Sequence, residues 1–196
     1  MAYSSKIKGE MYMMKKILLT SGGFDNKNIA DKFLELVNKP VNEIKVLFIT
    51  TAAVEPDAVM ILPACIEDLT KVCGIPMGNL TIYDMHKLMS KEEIMQYDAI
   101  YMCGGKTEYL VERIDEVGFK DLLDFYIKNG GVYVGVSAGS TCGCGRFKTG
   151  LDFLNNELQV HCEKGSDNGI IANNDTIYLT NNQAILIDDN GMEIFE

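Results

Sequence analysis

Basic residues are scarce in this chain of 196 residues. It has two histidines, and its 18 Lys+Arg stand against 28 Asp+Glu, for a formal net charge of -10. Such a balance argues against nucleic-acid and anionic-membrane partners, since both repel an acidic surface. The only arginines are Arg113 and Arg146, which limits bidentate binding of an acidic ligand. No apolar run approaches the roughly 20 residues of a membrane span. The polar start, residues 1–12, carries Lys6 and Lys8 and lacks the apolar middle of a secretion signal. A cytoplasmic location is the default expectation. The six cysteines then read as reduced thiols rather than a disulfide framework. The Cys142-Gly143-Cys144 pair and the His161-Cys162 pair match no standard zinc spacing. Neither a metal nor any other cofactor is expected.

What is present suits a soluble globular domain. Hydrophobic residues make up 47% and charged residues 23%, and the length supports one full core. Residues 1–13 read as a flexible N-terminal extension, and residues 14–196 as a single α/β domain. Apolar runs at 15–20 (KKILLT), 45–50 (KVLFIT), 80–83, 99–102 and 132–136 (VYVGV) predict strands. Between them, 27–37, 56–73, 107–117 and 120–128 carry helical patterns, with Pro63 expected to kink or restart the second. Ser90, with Glu93 three residues on, predicts a capped helix start over 90–95. After residue 158 the character changes. Short strands at 158–160, 170–171, 176–179, 184–187 and 192–195 are separated by Asn- and Asp-rich turns. Strand-helix alternation requires crossover connections. The expected fold is therefore α/β and three-layered, a mainly parallel sheet with helices on both faces and antiparallel strands near the C-terminus.

Ligands of such sheets gather beyond the carboxyl ends of the strands. Three Gly-rich segments fall there: Ser21-Gly22-Gly23, Cys103-Gly104-Gly105 and Gly135 to Gly139. The last fits G-x-S-x-G directly after an apolar strand, which is the context of a nucleophile elbow. The turn is so tight that the serine is strained and its neighbours must lack side chains. A packing turn needing small residues is the plainer explanation of the same pattern. A serine nucleophile needs a base. His86 lies in a polar stretch and reads as a surface histidine. His161 follows a probable strand later in the chain than Ser137, and reads either as that base or as a hydrogen-bonded turn residue.

These blocks resemble the peptidase E and cyanophycinase group of serine peptidases, which use a class I glutamine amidotransferase-like fold. The resemblance is carried by LLTSGGF (18–24), VLFITTAA (46–53), YMCGGKTEYL (101–110), VGVSAGS (134–140) and Asn182-Gln183-Ala184 with the strand after it. It implies Ser137 as nucleophile and His161 as general base. It also implies an oxyanion hole from the amides of Ala138 and of Gly104 or Gly105, and hydrolysis of a short peptide through an acyl-enzyme. Relatives cleave after an N-terminal acidic residue or degrade an aspartate-rich polymer, so dipeptides with an acidic residue are the implied substrates.

Three departures from the family pattern matter, one of them the scarcity of arginine, which leaves only Arg113 and Arg146 for bidentate binding of an acidic substrate. Lys106 replaces the family's usual Asn and is a candidate substrate-binding cation, as is Arg146 just beyond the elbow. The stretch from Ser140 to His161 is short, and the acid that should orient the histidine is not evident. Asp152 and Glu163 are the candidates there. A shortened segment could also leave the site to be completed by a second subunit, so a homodimer is an expectation. The alternative function is a catalytically weak or inactive peptidase fold that binds a small molecule or a partner. A thiol enzyme is disfavoured, since the residue at the elbow is serine.

Overall fold

The computed structural model describes residues 6–7, 10–11, 14–145, 147, 149–171 and 175–196. At the start, β1 (Lys6–Ile7) and β2 (Glu10–Met11) pair antiparallel with each other. The main sheet then collects β3 (Ile17–Thr20), β4 (Val46–Ile49), β5 (Leu80–Tyr83), β6 (Ala99–Met102) and β7 (Val132–Val136). All five run parallel, in the spatial order β5-β4-β6-β7-β3. Except for β5 at the edge, each is buried along its whole length. This is why they read as continuous apolar runs rather than alternating ones.

Alternate side chains of these strands serve two separate cores. Ile17, Leu19, Ile100, Met102 and Tyr133 face one way. They pack against Leu110 and Ile114 of α4 (Thr107–Val117) and Leu123 and Tyr126 of α5 (Phe119–Lys128). Leu18, Phe48, Tyr101, Val134 and Val136 face the other way. There they meet Ile29 and Phe33 of α1 (Lys27–Val37) and Cys65 of α2 (Pro56–Glu67). Helices thus cover both faces, giving three layers. Between β5 and β6, α3 (Lys91–Ile94) starts with both bonds of a capping box, Ser90 to Glu93 and back.

Beyond β3 the sheet turns antiparallel, through β11 (Ala184–Asp188), β12 (Gly191–Phe195) and β9 (Gly169–Ile170). The strand expected at 176–179 does not join it. It appears as β10 (Ile177–Tyr178), paired in parallel with β8 (Leu158–Gln159) in a small sheet of its own. The helix expected over 56–73 also differs. It continues through Pro63 to Glu67, and the chain then widens into a π turn over Asp68–Val72. Pro63 and Val59, whose carbonyl loses its helical partner, are both exposed residues, so water can replace the lost bond. Among the described residues no helix is long and apolar enough to cross a membrane.

Candidate active site

Strand β7 lies between β6 and β3, and its carboxyl end carries Ser137. Ser137 has φ 50° and ψ −107°, in a region that costs a non-glycine residue on the order of 1–3 kcal/mol. The surroundings over-determine it. Its N–H donates to the Thr20 carbonyl at 3.0 Å. The buried Ser140 hydroxyl lies within reach of the carbonyls of Thr20, at 2.7 Å, and Gly135, at 2.8 Å. The Thr20 hydroxyl donates to the Gly135 carbonyl at 3.1 Å. A Cβ on Gly135 would overlap the Gly139 carbonyl, and one on Gly139 would overlap the Met102 carbonyl oxygen. The two glycines of the motif are thus required by close backbone approach, and α6 (Ala138–Thr141) follows at once.

His161 reaches this turn from the small second sheet. The β8–β10 ladder is prolonged by Leu179 N–H to Gln159 O at 2.9 Å and by Cys162 N–H to Leu179 O at 3.0 Å. That extension carries His161 and Asn181 side by side to the elbow. The His161 backbone, at φ 58°, is in the left-handed region, and its N–H donates to the Ser21 hydroxyl at 2.7 Å. Ser21 Oγ lies 3.1 Å from Asn181 Oδ1. His161 Nδ1 is 2.9 Å from that same oxygen, and Nε2 is 2.9 Å from Ser137 Oγ.

Proton counting fixes the roles. An amide oxygen only accepts, so Nδ1 carries the hydrogen and donates to Asn181. In the neutral ring Nε2 is then the acceptor, turned toward the Ser137 hydroxyl. Ser21 accepts from the His161 amide and donates its O–H to Asn181 Oδ1, which completes the network.

The amides of Gly104, Gly105 and Ala138 make no hydrogen bond among the described residues. A Cβ on Gly104 would stand 3.0 Å from Ser137 Cβ and 3.5 Å from its Oγ. Only a bare backbone lets that loop pass so close to the hydroxyl. Ser137, His161, Asn181, Ser21, Gly104, Gly105 and Lys106 line one cavity of about 640 Å³. Its lining includes Asp68, whose Oδ2 accepts from the Tyr101 hydroxyl at 2.7 Å and the Phe24 amide at 3.0 Å. Burial pushes the Asp68 carboxyl above its ordinary range, against the pull of those two donors.

Among the residues singled out in the sequence, the structure brings Ser137, His161, Gly104, Gly105 and Lys106 together, with buried Ala138 adjoining Ser137. Lys106 is exposed at the start of α4, its N–H bound to Ala52 O at 2.9 Å. Arg146 lies outside the described residues. His86 is exposed and paired with Asp84 at 3.3 Å, on another part of the surface. Neither Asp152 nor Glu163 orients His161; both are exposed, and Asn181 occupies that position. Sequence reasoning missed Asn181 because it looked for an acid. The signal was Asn181 itself, one residue before the block Asn182-Gln183-Ala184. Ser21 was noted only as part of a Gly-rich segment, and Asp25 and Asp68 were missed.

A parallel sheet ending in a strained serine at a strand-to-helix turn is the framework of the nucleophile-elbow hydrolases. Within that class the assignment is specific. The model of peptidase family S51 matches residues 17–159, so the chain belongs to this family and is a serine-type peptidase. The match ends before His161 and Asn181. No curated protein matches the chain. Among solved structures, the chain is similar to a candidate peptidase E protein from Listeria monocytogenes EGD-e. The identity is 20% and the TM-score 0.69, over 93% of this chain and 98% of that one. It is also similar to a peptidase from an acI-B1 Actinobacterium, at 13% identity and TM-score 0.65, over 93% and 88% of the two chains. At these identities the likeness bears on the fold.

Proposed function

We propose that the chain hydrolyses short peptides through an acyl-enzyme on Ser137, with His161 as general acid–base and Asn181 as the group that orients it. The observation that carries this reading is the 2.9 Å separation of His161 Nε2 from Ser137 Oγ, with Asn181 holding the opposite ring nitrogen. Ser137 Oγ attacks the scissile carbonyl carbon while its proton passes to Nε2. The carbonyl oxygen takes the negative charge and is held by the free amides near the elbow, those of Ala138 and of Gly104 or Gly105. The C–N bond then breaks, its electron pair goes to nitrogen, and the Nε2 proton moves to the departing amine. Water repeats the sequence: it gives a proton to Nε2 while its oxygen adds to the ester carbon, then the bond to Ser137 Oγ breaks, Oγ takes the Nε2 proton, and the free acid leaves. A cavity of about 640 Å³ falls in the roughly 300–1,000 Å³ range of small-ligand sites, which suits short peptides.

One observation favours a slower enzyme or a binding protein. Asn181 holds the tautomer but supplies no negative charge to an imidazolium. A fluorophosphonate probe separates the readings. Labelling of Ser137, with loss of labelling and peptide turnover in Ser137→Ala, is expected of the peptidase. Folded wild-type protein that stays unlabelled would favour binding alone.

A further inference from the structure

Four carboxylates reach the lining of the cavity beside Ser137. Its described lining includes Asp25, Glu55, Asp57 and Asp68, against one lysine, Lys106, and no arginine. None of these four acids forms an ion pair among the described residues. Glu55 and Asp57 stand at the start of α2, where the helix dipole favours an anion. Their placement has a reason in helix stability.

Asp68 has no such reason. It stands where α2 passes into the π turn, within the helical run rather than at its start, and it is half-buried. Desolvation opposes a carboxylate there. The fold nevertheless holds it rigidly. Its Oδ2 receives the Tyr101 hydroxyl and the Phe24 amide, and the Tyr101 ring is fully buried and stacked on Phe48. Oδ1 receives no hydrogen bond from any described residue. Asp25 is close enough to act electrostatically on Asp68 and adds like charge. A fixed, half-buried carboxylate with a free oxygen and no cation is unfavourable in the empty protein. A positively charged group on the ligand would satisfy it, and an acidic ligand would meet repulsion.

Building on the hydrolytic reading above, we propose that the site selects short peptides bearing an ammonium group, seated against Asp68, rather than acidic ones. The ammonium is supplied by a free N-terminus or by a lysine-type side chain. Lys106 also lines the cavity, but it is exposed and forms no ion pair with these acids among the described residues.

The test reads binding apart from turnover. Peptides of alanine with lysine, norleucine or aspartate at one position, each free and N-acetylated, are titrated into Ser137→Ala protein by calorimetry. Their hydrolysis by the wild type is followed in parallel. Lysine peptides, or free over acetylated ones, should bind at least tenfold more tightly than their uncharged counterparts. Aspartate peptides should bind most weakly. The acetylated lysine arm distinguishes a side-chain ammonium from an N-terminal one. Raising the salt, and Asp68→Asn with its fold checked by thermal melting, should each shrink the preference several-fold. Should Asp68→Asn fail to fold, the ranking of peptides and its salt dependence decide. Aspartate or norleucine peptides binding as well as lysine ones, no peptide binding at all, or a preference indifferent to Asp68→Asn would each overturn the proposal. Charge-selective binding without hydrolysis in the wild type would instead sink the peptidase reading and leave this one standing.

Discussion

Replacing Asn181 by aspartate probes the neutral orienting group directly. Asn181 Oδ1 lies 2.9 Å from His161 Nδ1, which puts the centres of charge of an Asp–imidazolium pair about 4 Å apart. Both residues are exposed, so a high effective dielectric constant, roughly 40–80, applies. The interaction is then about 1–2 kcal/mol. Each 1.36 kcal/mol is one pH unit in a titration and tenfold in a rate. Asn181→Asp is therefore expected to raise the plateau of kcat/KM about 5- to 30-fold, because the imidazolium formed during attack is stabilised. The same charge raises the pKa of the ring. Since the base must be neutral, the acid limb of the profile moves about one unit toward higher pH. Asn181→Ala removes both hydrogen bonds that Oδ1 accepts, from His161 and from Ser21; loss of the one to the ring, about 1 kcal/mol, should lower the plateau severalfold without that displacement. The assay is a pH profile of peptide hydrolysis for the three proteins. An unchanged limb and plateau in both variants would refute the role given to Asn181.

Other expectations follow from the same coordinates. Gly139→Ala forces a methyl against the Met102 carbonyl; overpacking of this kind costs about 1–3 kcal/mol, so Tm should fall by about 2–12 °C in a thermal melt. Asp68 should reveal itself in stability. Its folded pKa is raised above 3.8 by burial, so its destabilising effect is complete above the folded pKa and vanishes below the unfolded one. Asp68→Asn should accordingly melt higher than wild type at neutral pH, with the curves converging as the pH falls through the carboxylate range. Burial pushes the Cys73 and Cys142 thiols up to about 12. In native protein at neutral pH a thiol reagent should spare both, as mass spectrometry would show, while half-buried Cys162 reacts.

The parts of the protein legible in the sequence are those whose causes are local. Buried parallel strands are contiguous apolar runs, so β3, β4, β6 and β7 could be read directly. The capping box at Ser90 and Glu93 spans a single turn. The Gly135–Gly139 motif encodes part of its own steric requirement, since Gly135 meets the Gly139 carbonyl, whereas Gly139 is held bare by Met102 of β6. Lys106 was likewise found through its place beside Gly104 and Gly105. The longer helix predicted over 56–73 failed at its end, because periodicity does not register where a helix widens into a π turn.

The orienting of His161 had no local signature. Asn181 stands 20 residues from it and Ser21 stands 140; Asn181 arrives because the short strands β8 and β10 pair in parallel, and Ser21 because it follows β3 of the main sheet. Two-residue strands carry too little pattern to announce their partner. Asp68 reaches the cavity only because a helix ends beneath Tyr101, 33 residues further along the chain. Sequence alone determined the buried parallel strands, most of the helical spans and the place of the serine's bend, because each carries its pattern within a few residues. Tertiary structure decided which amide faces the imidazole and which carboxylates line the cavity, because those depend on distant segments meeting in space.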